Sequence, residues 1–200
     1  MKKILNVISS ARGAASNSTR LANTIIEKLT ERYPGSSIKV RDLVEQHYPH
    51  LEESHLNAFY APPENDSKEY QKAIHYSDEA ISELQEADII VIGVPIYNFN
   101  VPSAIKAWLD HLVRAGKTFS YGSGVPEGLL KNKKVYLAIA SGGVYSDGPM
   151  KSYDFADPYL RFVLGFIGLT DVTTFRAEGF SVPELKETAL QKGIESIAVQ

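Results

Sequence analysis

The sequence predicts a doubly wound α/β fold, a five-stranded parallel sheet flanked by helices. Short apolar runs of strand length alternate with longer segments whose apolar residues recur at helical spacing, the pattern of successive β-α-β units. The most apolar run, Asp88 to Val94, has no polar alternation, as expected for a parallel strand covered on both faces. A chain of 200 residues with 44% hydrophobic residues can bury one good core, and two would be crowded. Residues 1–200 are therefore expected to form a single domain.

Each element has its own signal. Ile4 to Ile8 is the first strand. Leu21, Ile25, Ile26 and Leu29 mark the first helix, ended by Pro34-Gly35. Ser37 to Val40 is the second strand. Leu43 to Ser67 reads as one long irregular stretch carrying His47, Tyr48, His50, His55, Phe59, Tyr60 and Pro62-Pro63, and a loop of that length suggests a lid or binding element. Tyr70, Ala73, Ile74, Ile81 and Leu84 mark the next helix, with Asp66 and Glu69 at capping-box spacing. After the central strand, Pro102 suits the first turn of a helix whose apolar face is Ile105, Trp108, Leu109 and Leu112, a register that makes Trp108 a packing residue. Lys134 to Ala140 is the fourth strand, Tyr159 to Ile167 a mostly apolar helix, and Asp171 to Phe175 the fifth strand. Ser181 and Glu184 then cap a last helix through Leu185, Ala189 and Ile194.

Composition removes several function classes. The absence of cysteine excludes disulfides, thiolate metal sites and cysteine nucleophiles. A net charge of -3 without a basic stripe makes no case for nucleic acid. No apolar run approaches the roughly 20 residues that span a bilayer. The first apolar run stops at Ser9-Ser10 without an A-x-A cleavage pattern, so it reads as a strand, and a cytoplasmic location is the default expectation. His47, His50 and His55 lack regular ligand spacing, so no metal is expected. Ser9 and Ser10 lack the G-x-S-x-G elbow of a hydrolase.

Three loops, each directly after a strand, carry the chemistry, because open parallel sheets bind ligands beyond the carboxyl ends of their strands. The first, Ser9 to Ser18, leads into a helix N-terminus and includes Ser10, Ser16, Asn17 and Ser18. Free N–H groups, hydroxyls and the helix dipole suit a phosphate, although a helix cap in a polar loop would look the same. It matches neither G-x-G-x-x-G nor G-x-x-x-x-G-K-[ST]. The second, Pro95 to Pro102, combines aromatics, Asn and stiffening prolines where small polar turn residues would do. The third, Ala140 to Tyr145, has paired glycines that admit close approach to the backbone.

Together these loops resemble the flavodoxin-like NAD(P)H:quinone reductases, above all the FMN-dependent NADH-azoreductases. The resemblance rests on Pro95-Ile96-Tyr97-Asn98-Phe99 and Ser16-Asn17-Ser18. Arg114 to Phe119, Pro126 to Leu129, Leu164 to Gly168, and Gly142-Gly143 followed by Asp147-Gly148-Pro149 extend it. Ser141 and Tyr145 stand where members of that family can carry Arg and His. The resemblance implies a flavodoxin-like fold with FMN as cofactor. Ser10, Ser16, Asn17 and Ser18 would hold the phosphate. Pro95, Ile96, Tyr97, Asn98 and Phe99 would line the isoalloxazine, and Ser141, Gly142 and Gly143, with Tyr145 nearby, would face its N1/O2 edge. Asn98, Phe99, Gly142 and Gly143 would act at the flavin edge, with no covalent catalytic residue. It further implies a homodimer with the ring at the subunit interface. NADH or NADPH would supply two electrons, passed by a ping-pong mechanism to quinones and azo compounds, whose aromatic azo bonds are cleaved. Phe59 and Tyr60 of the long loop, with Phe119, Tyr121 and Phe162, are the candidate substrate contacts. The rival reading is a flavodoxin-type FMN electron carrier, but such carriers dock through strongly acidic surfaces, which a charge of -3 does not provide.

Overall fold

In the computed structural model, which describes residues 1–61, 67–122 and 124–199, five strands form one parallel sheet in the order β2-β1-β3-β6-β7. They are β1 (Lys3–Ile8), β2 (Ser37–Asp42), β3 (Ile89–Pro95), β6 (Lys134–Ser141) and β7 (Asp171–Glu178). Two short strands, β4 (Phe119–Ser120) and β5 (Glu127–Gly128), pair antiparallel to each other outside the sheet. The helices are α1 (Asn17–Arg32), α2 (Glu53–Phe59), α3 (Lys68–Glu86), α4 (Ser103–Leu112), α5 (Ala156–Phe166) and α6 (Ala189–Glu195). The chain winds outward from β1 to β2, then crosses back to β3 on the other side of β1, so the order reverses between β1 and β3. Loops after those two strands diverge to opposite faces and open a crevice there.

The unbroken apolar run of β3 is explained by its two neighbours. Ile89 and Val91 face a core built with Leu21, Ile25 and Leu29 of α1, while Ile90, Ile92 and Val94 face one built with α3, α4 and α5. Each fully buried aliphatic side chain of this kind contributes about 1.5–3 kcal/mol. Trp108 of α4 is fully buried in the second core, as its register predicted.

The structure corrects the sequence reading at several places. Residues 43–67 are not wholly irregular, because α2 lies within them. Glu52 caps it through a box in which His55 Nδ1 accepts from the Glu52 N–H at 3.0 Å. The last helix begins at Ala189, not near Ser181. The N–H groups of Gly179, Phe180 and Ser181 bond instead to carbonyls of the loop after β6, so this segment is held as turns before the helix can start. At α3 the cap is Ser67, whose Oγ accepts from Tyr70 N at 3.2 Å. Asp66, together with Pro62-Pro63, lies outside the described residues. The second and fifth strands are also longer than their apolar cores, since pairing with β1 and β6 continues through polar residues.

Candidate functional site

The three candidate loops converge at the carboxyl ends of β1, β3 and β6. They line a crevice of about 280 Å³ with Ser10, Arg12, Ser16, Asn17, Ser18, Pro95, Ile96, Tyr97, Ser141 and Gly142. Its floor is the N-terminus of α1. Ser16 is the N-cap: its Oγ accepts from Thr19 N at 3.2 Å and lies 3.0 Å from Ser18 Oγ. The first two N–H groups of the helix, those of Asn17 and Ser18, have no acceptor among the described residues. Hydroxyls, free amides and the helix dipole therefore point the same way, toward an anion.

The second loop is a tight turn. Tyr97 and Asn100 exchange backbone hydrogen bonds at 3.0 and 3.1 Å around Asn98 and Phe99, whose φ values are 49° and 69°. Asn tolerates the left-handed region, but for a bulky aromatic it is a real outlier costing about 1–2 kcal/mol. Strain of this kind persists only where surrounding structure holds it, and it gathers at ligand sites. The turn is held at both ends. Ser10 Oγ lies 3.2 Å from Tyr97 Oη, and Phe99 O accepts from Phe155 N at 3.2 Å. The N–H groups of Asn98 and Phe99 are left without an acceptor among the described residues.

The third loop has the same economy. The carbonyls of Ser141, Gly142 and Gly143 accept from Gly179 and Ser181 at 2.8–3.1 Å, yet among the described residues the N–H groups of Gly142 and Gly143 have no acceptor. A side chain at either glycine would have to displace a neighbouring side chain. A Cβ on Gly142 would come 2.6 Å from Ser181 Oγ, and one on Gly143 would press on the Tyr145 ring at 3.2–3.3 Å. Tyr145 and Phe99 meet edge to face at 6.3 Å, joining the two loops.

The crevice thus brings together nine of the predicted binding residues. Asn98, Phe99, Gly143 and Tyr145 sit on the same two loops just beyond it. The predicted substrate contacts lie elsewhere in the chain. Phe59 packs in α2 beside His111 (6.2 Å) and the Arg114 guanidinium (5.7 Å), while Tyr60 is exposed. Phe119 is buried against Phe166 and Tyr121, at 4.7 and 5.4 Å. Phe162 and Tyr121 are 76% and 60% exposed. None of the five lines the crevice.

Sequence reasoning missed Arg12, Phe180 and Ser181, which line the crevice too. Arg12 was findable: an arginine in a Ser/Gly loop ahead of a helix N-terminus is what phosphate recognition calls for. Phe180 and Ser181 reach the site only through the pairing of β6 with β7. Among the described residues, no group of three His, Asp or Glu could hold a metal, and no helix is long and apolar enough to cross a membrane.

Comparison with known proteins agrees with this geometry. Residues 2–200 match the family model described as flavodoxin-like fold. An FMN-dependent NADH:quinone oxidoreductase of Beijerinckia indica is 42% identical over 198 residues, 99% of this chain and 98% of the relative. A solved azoreductase from Bacillus anthracis superposes with a TM-score of 0.89 at 31% identity, covering 98% of this chain and 96% of that one. A second B. anthracis structure, an FMN-dependent NADH-azoreductase in complex with FMN, superposes with a TM-score of 0.83 at 25% identity, covering 98% and 97%. The chain belongs to the flavodoxin-like family of oxidoreductases that includes these NADH:quinone oxidoreductases and azoreductases.

Proposed function

We propose that the crevice holds FMN and that the chain passes two electrons from NADH to quinones and aromatic azo compounds in two successive half-reactions. The observation that carries this reading is the set of unspent backbone donors. Among the described residues, N–H groups are left free on each loop, those of Asn17 and Ser18 at the helix, Asn98 and Phe99 on one loop, and Gly142 and Gly143 on the other. Three such sets on the loops of one crevice suit a ligand with a phosphate and an acceptor-rich ring.

The donor set fits FMN. Ser10, Ser16, Asn17, Ser18 and the Arg12 guanidinium would hold and neutralise the phosphate. The strained turn at Asn98 and Phe99 would offer its amides to the N5 edge of the ring. Gly142 and Gly143 would offer theirs to the N1/O2 edge, where negative charge gathers on reduction, a role like that of an oxyanion hole. Bound there, FMN supplies the carrier of hydride between nicotinamide and acceptor. No side chain need be covalent. The sequence has no second nucleotide fingerprint, so one crevice must serve both donor and acceptor, and the two must visit in turn.

The working unit is proposed to be a homodimer. Phe162 and Tyr121, exposed and away from the crevice of their own chain, could close over the ring of a second copy. The test of the reaction is steady-state kinetics, with NADH varied at several fixed concentrations of a quinone and of an azo dye. Parallel double-reciprocal lines are expected. Intersecting lines would show a ternary complex and overturn the alternating mechanism.

A further inference from the structure

Outside the crevice, two carboxylates and one guanidinium connect its two walls. Glu178, at the end of β7, has a side chain only 9% exposed. Its Oε1 accepts from Tyr145 N at 2.9 Å and Ser146 N at 3.1 Å, and its Oε2 accepts from the Ser146 hydroxyl. Arg176, two residues earlier on the same face of β7, reaches Glu178 Oε1 at 3.4 Å and Asp154 Oδ2 at 2.6 Å. Asp154 Oδ1 in turn accepts from Ala156 N and Asp157 N, both at 3.1 Å, and so fixes the start of α5. Between them, Phe155 N donates to Phe99 O at 3.2 Å. A continuous polar chain therefore runs from the loop of Gly142, Gly143 and Tyr145, through Glu178, Arg176 and Asp154, to the strained turn of Asn98 and Phe99.

Backbone bonds from Gly179 and Ser181 hold only the carbonyls of residues 141–143. Beyond Gly143, the backbone N–H groups of Tyr145 and Ser146 donate to the Glu178 carboxylate. We propose that Glu178 and Arg176 are positioning residues for electron transfer: they set the separation and orientation of the two loops whose free amides serve opposite edges of the flavin. The inference rests on the flavin reading above. Its physical consequence is specific. Donors to the N1/O2 edge matter most when that edge carries negative charge, so loosening their loop weakens binding of reduced FMN more than of oxidised FMN. The phosphate site on α1 is untouched by the chain of contacts, so retention of oxidised FMN should hardly change.

Glu178→Asp keeps the charge and shortens the side chain by about 1.5 Å, which takes the carboxylate out of reach of one or both loop amides. In the FMN-loaded protein, the expected result is a dissociation constant for oxidised FMN within about threefold of the parent. Reduced FMN should bind about tenfold more weakly, read as a fall of about 30 mV in the two-electron midpoint potential. Turnover number should fall about tenfold or more, with a smaller change in KM for NADH. Glu178→Gln separates position from charge, because loss of a nearby negative charge acting only through space would raise the potential. If Glu178→Asp behaves like the parent while Glu178→Gln raises the potential, the carboxylate acts by its field and the positioning role is wrong. If Glu178→Asp merely lowers the melting temperature and keeps the parent potential and turnover, the role is structural and the proposal also fails. Should Glu178→Asp not fold, Arg176→Lys carries the same test, since it keeps the charge and gives up the bridge from Glu178 to Asp154. A parent protein that holds no FMN would instead remove the flavin reading itself, and this proposal with it.

Discussion

Replacing Ser18 by Ala tests the floor of the crevice most directly. Ser18 is 1% exposed in the first turn of α1, and its hydroxyl lies 3.0 Å from that of Ser16. The helix cap is made by Ser16, so Ser18→Ala leaves the cap in place. What it removes is one hydroxyl donor beside the free N–H groups of Asn17 and Ser18. A hydrogen bond to a charged group contributes about 1.5–3 kcal/mol, so affinity for FMN should fall roughly 10- to 100-fold. Ser16→Ala should weaken FMN binding similarly and in addition cost about 0.5–2 kcal/mol of stability through the lost cap. The assay is titration of apoprotein with FMN, followed by flavin fluorescence, with riboflavin as the phosphate-free control. Riboflavin binding should be the same in parent and Ser18→Ala. An unchanged FMN dissociation constant, or an equal loss for riboflavin and FMN, would refute the assignment of this loop to the phosphate.

Two further outcomes follow from the structure. The exposed Phe162 and Tyr121 are expected to be covered by a second copy, so light scattering of the flavin-loaded protein should give twice the chain mass, and a stable, fully active monomer would sink that reading. His111 is buried, its Nε2 donates to Pro49 O at 3.0 Å, and burial, aided by the nearby His55, pushes its pKa below the ordinary value of 6.5. The unfolded chain then binds more protons than the folded one below about pH 6.5, so stability should be intact above that pH and decline beneath it by at most about 1.4 kcal/mol per pH unit. His111→Gln, which can still donate to Pro49, should flatten the decline in denaturant melts between pH 7 and pH 5, and an identical pH profile would show that His111 is not its source.

The central strands were legible because parallel strands buried on both faces must be almost wholly apolar. Within the run Asp88 to Val94, Ile89 to Val94 carries that demand in six consecutive buried residues, and Trp108 announced its burial through helical spacing. That the loops Ser9 to Ser18, Pro95 to Pro102 and Ala140 to Tyr145 would meet was legible because each directly follows a parallel strand, at the same edge of the sheet. The helix within residues 43–67 was missed for a local reason: it is capped by Glu52 and His55, a pair that does not match the usual Ser/Thr and Glu/Gln capping box.

The alternation of apolar runs thus determined by itself the class of fold, and the chemistry of three loops determined which ends of the strands matter. Only tertiary structure decided which backbone groups those loops leave unspent. Among the described residues, the amides of Asn98, Phe99, Gly142 and Gly143 are free while distant partners hold nearby carbonyls: Phe155 on one side, Gly179 and Ser181 on the other. Likewise Arg176 and Glu178 read in sequence as ordinary charges near a strand end. Pairing of β6 with β7 sets Glu178 beside Ser141 and within reach of the backbone at Tyr145 and Ser146. Hydrogen bonds between segments far apart in the chain depend on register and crossover, and no local spacing encodes them.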